Sequence, residues 1–345
     1  MIKICWSLFL LLLLAGCCPD RRETESWYLE IDFICEHTPV KDQGKSGAGW
    51  IYAMLSLIES NRIRSGDSLN LSASFLVQKA YKTCALNYLS QARSEDFSMH
   101  ASGMRFFSLI DKYGAVPYFV GEDDPTIPFD SLNRAITDLG RRVSRREMSS
   151  GDAGQTVCLS MDFLFNYIPE RTFLYGVSYS PQDLARSVCR PNEYEALTSF
   201  IRFPYGKNIT LSGKQVYKNL PLAGFMDSIK STLRRGYTLA WEGDTTEQGF
   251  SFFRGVADWR GKGDIRAKFR QREFDRGKTT SDHLMHLVGM AHNAAGEIFF
   301  VAKNSMGERG PMKGYMFLSE RYIQLKTIAV YRLKPQYMCI GDKSY

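Results

Sequence analysis

Residues 39–50 read PVKDQGKSGAGW, and residues 50–59 continue as WIYAMLSLIE. Asp42 to Lys45 form a Gly-containing turn directly before the apolar run. The run itself is apolar nearly all round, which is typical of a helix buried inside a lobe rather than one lying on a surface. The sequence therefore predicts a tight turn that leads into a buried helix.

The pattern of elements changes along the chain. Residues 71–77 predict a cap followed by a second helix, and residues 90–215 carry mixed helical signals. Later residues favour strands instead, with predicted strands at 238–242, 250–253, 284–290, 297–303, 315–318 and 328–332. A helical first half followed by a strand-rich second half predicts the α+β class with two lobes.

Two later stretches form one pattern together with residues 39–50. Residues 281–289 read SDHLMHLVG, and residues 301–307 read VAKNSMG with KGY following at 313–315. In this order, the three stretches resemble the nucleophile, histidine and asparagine blocks of the papain-like cysteine peptidases. The resemblance covers most of residues 38–332. It implies a papain-like two-lobed fold, with a helical N-terminal lobe, an antiparallel β-rich C-terminal lobe and an active-site cleft between them.

Two features resemble the bleomycin hydrolase and bacterial aminopeptidase C branch of that family. Position 46 is Ser, where secreted papain-type enzymes carry a disulfide cysteine. Position 49 also lies about a hundred residues further from His283 than the papain-type spacing of roughly 130–150 residues. This spacing implies an insertion at about 90–215. The segments YSPQDL at 179–184 and DHLMH at 282–286 look like the same branch.

The resemblance implies a role for each matching residue. Gln43 would donate to the oxyanion, together with the backbone N–H of residue 49. Position 49, at the start of the buried helix, is the nucleophile position. His283 would be the general acid and base, and Asn304 would orient its ring.

The nucleophile itself is missing, because position 49 is Gly. Met306 also stands where the family has the Trp that covers the His–Asn pair. These departures predict a peptidase homologue that is catalytically inactive and binds peptides or protein N-termini. A helix N-terminus beside an imidazole favours an anionic group there. The alternative is an active cysteine aminopeptidase in which Gly49 is an engineered or erroneous replacement of the Cys.

The N-terminus predicts export. One Lys precedes a short apolar run that ends at Leu14-Ala15-Gly16-Cys17, which resembles the bacterial lipobox. We expect a signal peptide at 1–16, lipid attachment at Cys17, a tether at 17–32, and a lipid-anchored location in the bacterial cell envelope. The papain-like domain would span 33–345, with a mainly helical lobe at 33–215 and a mainly β lobe at 216–345.

Composition limits the partners. The net charge is only +7 over 345 residues, and the basic clusters at 141–146 and 260–278 lack interleaved aromatics, so they predict solvated loops and no nucleic-acid partner. His283 and His286 lie three apart without a zinc-site pattern, so neither a metal nor a cofactor is expected. The eight cysteines leave one or two disulfides open. The resemblance also leaves a homo-oligomer open.

Overall fold

The computed structural model describes residues 28–174, 176–202, 210–211, 214–215 and 217–338. The predicted signal peptide, Cys17 and most of the predicted tether lie outside these residues. The helices are α1 Gly49–Arg64, α2 Ala73–Ser90, α3 Met104–Tyr113, α4 Phe129–Ser144, α5 Ser150–Leu164, α6 Pro181–Val188, α7 Leu222–Arg234, α8 Ala267–Asp275 and α9 Glu320–Lys326. The strands are β1 Leu29–Ile34, β2 Thr172–Leu174, β3 Val177–Tyr179, β4 Tyr194–Thr198, β5 Thr210–Leu211, β6 Lys214–Gln215, β7 Tyr217–Asn219, β8 Leu239–Gly243, β9 Phe250–Ser251, β10 Val256–Ala257, β11 His283–Asn293, β12 Ile298–Lys303, β13 Tyr315–Ser319 and β14 Thr327–Leu333.

Helix α1 is buried along most of its length, as its sequence predicts. Every residue from Gly49 to Asn61 is buried, because apolar side chains occur on all its faces. The helix lies between the other N-terminal helices and the sheet, and its core includes Leu284, Ala329 and Tyr331 from the sheet. The start of α1 is thereby fixed against the strand that carries His283.

A large sheet forms the second half of the molecule, in the order β7-β4-β14-β8-β11-β12-β13-β10-β9. Its central pairs are antiparallel, whereas β4–β7 and β10–β13 are parallel. Strand β11 pairs with β12 along one edge, and its other edge is long enough to pair first with β8 and then with β1. The second face of the sheet packs on α7 and α9 through a separate core.

Two strands of the sheet, β1 and β4, come from segments that the predicted domain boundaries place outside the β lobe. Strand β1 begins at Leu29, so the tether predicted for residues 17–32 ends before it. Strand β4 lies within the predicted helical lobe but pairs with β14. Both strands are short, and their pairing partners lie more than a hundred residues away, so local patterns did not reveal them.

The two basic clusters are not simply loops. Arg141 and Arg142 form the last turn of α4, and α8 occupies much of residues 260–278. Cys35, Cys84, Cys158 and Cys189 are free thiols. Within the described part of the chain, no helix has both the length and the apolar character needed to cross a membrane.

Candidate active site

Gly49 is the first residue of α1, and the turn before it sets its direction. Gly44 and Gly47 have φ angles of +55° and +67°, a region that glycine adopts without strain. Ser46 is buried, and its Oγ accepts a hydrogen bond from the Ala48 N–H at 3.2 Å. Ser46 therefore stabilises the turn.

His283 and Asn304 face this helix start from the other lobe. The Asn304 Oδ1 atom lies 2.8 Å from His283 Nε2 and also accepts the Ser305 N–H at 2.8 Å. Because a backbone N–H can only donate, Oδ1 is the acceptor for both groups. His283 Nε2 therefore carries a proton, and in the neutral ring Nδ1 presents a lone pair.

The His283 ring lies against Gly49. A Cβ added to Gly49 would lie 2.9 Å from His283 Cε1, 3.2 Å from His283 Nδ1 and 3.0 Å from Gln43 Oε1. Gly49, Gln43 and His283 therefore meet at one point, and Asn304 supports the ring from behind. The structure thus brings together the four residues that the sequence singles out for the cleft, while their catalytic roles stay predictions.

Gln43 is held in place by pairing between two loops. Asp42 and Met306 form an antiparallel bridge, and the Gln43 N–H donates to the Ser305 carbonyl at 2.8 Å. The Gln43 side chain is 6% exposed, and its Oε1 has no hydrogen-bond partner among the described residues. A buried polar atom of this kind is costly unless a ligand or water satisfies it.

Burial controls the protonation of His283. It lowers the pKa of the imidazole, and the hydrogen bond to Asn304 opposes this only in part. The ring of Phe252 lies edge-on to His283, with the ring centroids 6.3 Å apart. Phe252 thus gives His283 an aromatic neighbour although Met306 is not a Trp. At neutral pH the lowered pKa favours a neutral imidazole that can accept a proton at Nδ1.

The cleft around these residues has a volume of about 360 Å³. Ser98 and His100 from the helical lobe and Ser281 from the β lobe also line it. His100 Nε2 lies 3.4 Å from Ser281 Oγ, and Ser281 donates to the buried Glu242 carboxylate at 2.6 Å. His100 is exposed and lies where the cleft opens to solvent. Since no local motif surrounds it, only its approach to Ser281, 181 residues away, identifies it as a cleft residue.

Comparison with solved structures extends over most of the chain. PepW from Lactobacillus rhamnosis HN001 matches it with a TM-score of 0.62 and 18% identity, over 90% of this chain and 82% of PepW. The chain has a papain-like fold. Another papain-like structure, the bromelain protease from Ananas comosus in complex with the E64 inhibitor, covers 86% of this chain and 94% of its own, with 12% identity and a TM-score of 0.42. No family sequence model and no curated protein matches the chain.

The cleft lies where the N-terminus of α1 meets the strand that begins with His283. Among the described residues, no group of three or more His, Cys, Asp and Glu side chains is arranged to hold a metal ion. Cys17, the predicted lipid-attachment residue, lies outside the described residues.

Proposed function

We propose that this chain is a peptidase homologue of the bleomycin hydrolase and aminopeptidase C type that binds peptides or protein N-termini without forming a thioester. The observation that carries the proposal is Gly49 at the start of α1, directly beside the His283–Asn304 pair. The position that faces the imidazole has no sulfur, so the covalent step of a cysteine peptidase has no nucleophile.

The described cysteines do not supply a replacement. Cys35 and Cys189 are buried, and burial raises the pKa of the Cys35 thiol to about 12. A thiol with such a pKa is not a reactive thiolate at neutral pH. Cys84 and Cys158, like these two, do not line the cleft.

The cleft retains features that suit an extended peptide. Its walls come from both lobes, and the Gly49 N–H at the helix start can donate to a peptide carbonyl.

We also propose that the chain has a signal peptide at 1–16, a lipid on Cys17 and a tether. These segments would hold the domain and its cleft at a membrane in the bacterial cell envelope. Mass spectrometry of the exported protein tests the lipid, since a Cys17→Ser variant should lose it.

Peptide binding can be tested with paired Trp substitutions. Ser98→Trp places an indole in the cleft, whereas Gln155→Trp places one on the exposed side of α5. We expect a library of fluorescent peptides with free amino termini to yield ligands for the unmodified protein and for Gln155→Trp. Ser98→Trp should weaken their binding at least about tenfold, or 1.4 kcal/mol. Equal binding by both variants would place the peptide site elsewhere.

A Gly49→Cys variant and aminoacyl fluorogenic amides distinguish the non-catalytic proposal from the alternative, which is an active cysteine aminopeptidase. We expect no amide turnover by the unmodified protein. The new Cβ would lie 2.9 Å from His283 Cε1, so the ring must shift slightly to accommodate the cysteine. Enzyme-like turnover by Gly49→Cys that is lost in Gly49→Cys/His283→Ala would show that the remaining site is intact. Turnover of amides by the unmodified protein would contradict the non-catalytic proposal.

A further inference from the structure

Two hydrogen-bond acceptors converge beside Gly49. One is Gln43 Oε1, which lies 3.0 Å from the position of an added Gly49 Cβ and has no partner among the described residues. The other is His283 Nδ1, which lies 3.2 Å from the same position. Its lone pair follows from the proton on Nε2, which the Asn304 Oδ1 atom fixes.

This pair of acceptors selects among small ligands. A carboxylate would bring a negative oxygen against the lone pair of His283 Nδ1, which argues against the anionic group that the sequence favours. An ammonium group would be opposed by the positive end of α1. The Cβ point itself is one bond length from Gly49 Cα and cannot hold a water, but a water in the cleft that Gln43, Gly49 and His283 line can donate one hydrogen to each acceptor. Water also suits either orientation of the Gln43 amide, since it can accept as well as donate.

We propose that a water molecule binds beside Gly49 between Gln43 and His283, and that His283 activates it as a nucleophile towards bound esters. This activity goes beyond peptide binding and needs no cysteine. Direct attack by water on the acyl carbon replaces the thiol step of a cysteine peptidase.

The proton and bond changes balance within the site. The water oxygen forms a bond to the ester carbonyl carbon while His283 Nδ1 takes one of its protons. The Gly49 N–H lies beside this point and can donate to the oxygen that becomes negative. The C–O bond to the leaving alcohol then breaks, and the proton on His283 returns to that alcohol. The products are a carboxylic acid and an alcohol.

The lowered pKa of His283 supports this role, because a neutral imidazole is the form that accepts a proton. The substrate class is an activated ester. Such an ester has a good leaving group, so it needs little help from a general acid. Amides need protonation of a poor leaving amine, so they should remain uncleaved.

The test uses hydrolysis of aminoacyl p-nitrophenyl esters by the full chain. We expect a rate above the buffer background that rises with pH through a His283 pKa below about 6.5 and then stays level. His283→Gln should lower the enzyme-dependent rate about 100-fold, as expected for loss of a general base. A rate that survives His283→Gln would overturn the proposal.

Gly49→Ala provides the matched variant for the water site. Gly49 lies in helical conformation, so Ala suits the backbone, and its methyl group takes the place between His283 and Gln43. Because that methyl group would lie 2.9 Å from His283 Cε1, the ring must shift slightly, as in Gly49→Cys; we expect at least a tenfold loss of ester hydrolysis in a protein that still unfolds cooperatively. Cys158→Ser and treatment with iodoacetamide should leave the rate unchanged, because no thiol takes part. An unchanged rate in Gly49→Ala would also overturn the proposal.

Two further measurements separate this inference from the proposed function. A high-resolution crystal structure should show a water within hydrogen-bond distance of Gln43 and His283, and its absence would contradict the inference. Peptide affinity, measured on the same preparations, reports on the proposed function alone. Bound peptide without ester hydrolysis would reject only the water route, whereas ester hydrolysis without peptide binding would reject only the peptide-binding function.

Discussion

Lys303 immediately precedes Asn304 and buries its ammonium group behind the candidate site. It donates to Thr38 O at 2.7 Å, to Thr38 Oγ1 at 3.2 Å and to Pro39 O at 3.3 Å. The buried Glu59 pairs with Lys41 at 2.7 Å close by. These contacts connect the end of β12 to the segment that leads to Gln43. At this scale, buried charges hold the two loops of the site together in addition to the Asp42–Met306 bridge and the hydrogen bond from the Gln43 N–H to the Ser305 carbonyl.

The protonation of Lys303 should affect stability. Burial lowers the pKa of this lysine from 10.5 to about 7. Between these values the unfolded chain binds more protons than the folded chain, so the free energy of unfolding should rise as the pH increases from 7 towards 10. The contribution is at most about 1.4 kcal/mol per pH unit.

Urea denaturation at pH 7, 8 and 9 measures this contribution. Lys303→Met should reduce the rise in unfolding free energy with pH, whereas Lys112→Met, at an exposed lysine, should retain it. The same pH dependence in Lys303→Met as in the unmodified protein would show that Lys303 does not titrate in this range.

Helix α8 is an element whose position depends on one buried side chain. Arg270 is fully buried, and its guanidinium donates to the carbonyls of Ser199, Gln324, Leu325 and Thr327. It also lies 4.3 Å from the ring centroid of Phe200. Burial lowers the pKa of Arg270 to about 9, so the guanidinium remains charged at neutral pH. One side chain thereby joins α8 to the end of β4 and to α9.

Arg270→Met should destabilise the protein by about 3 kcal/mol or more, because it leaves several buried carbonyls without donors. Lys268→Met removes a positive charge from an exposed position of the same helix and should change stability by less than about 0.5 kcal/mol. Chemical denaturation of both variants checks the difference. Similar stabilities would mean that α8 docks independently of Arg270.

At the scale of the whole molecule, β1 joins the N-terminal end of the domain to the central strand of the sheet. It pairs with the Gly289–Asn293 part of β11, and the Cys35 N–H donates to Val288 O at 2.7 Å. Phe33 packs against the core between the sheet and helices α7 and α9. The chain then runs through the Lys303 contacts to Gln43, so β1 anchors the segment that reaches the cleft.

Two truncations test this domain boundary. A chain that starts at Tyr28 keeps β1 and should melt at the same temperature as a chain that starts at Cys17. A chain that starts at Glu36 loses the strand and should melt at least about 4 °C lower, since more than 1 kcal/mol of pairing and packing is removed. Differential scanning calorimetry of the two chains measures the shift. Equal melting temperatures would mean that β1 does not stabilise the domain, and they would support the domain boundary predicted by a tether at 17–32.

The secondary structure that local patterns predict is largely present, and the exceptions have physical causes. The predicted strand at 284–290 is part of β11, and the apolar run after Gly49 is α1. The strand predicted at 250–253 ends at Ser251 because the chain turns at Phe252. Arg141 and Arg142 lie in α4 rather than in a loop, since the apolar stripe of that helix packs on the core while its charges face solvent.

The sequence by itself determined that position 49 has no thiol, that a buried helix follows it, and that Gln43, His283 and Asn304 occur in papain-like blocks. These features depend on residue identity, order and local apolar pattern. Only the tertiary structure decided that His283 Nδ1 and Gln43 Oε1 both face Gly49, that His100 lines the cleft, and that β1 completes the sheet. The physical reason is that burial and hydrogen-bond partners arise between segments hundreds of residues apart, which no local pattern encodes.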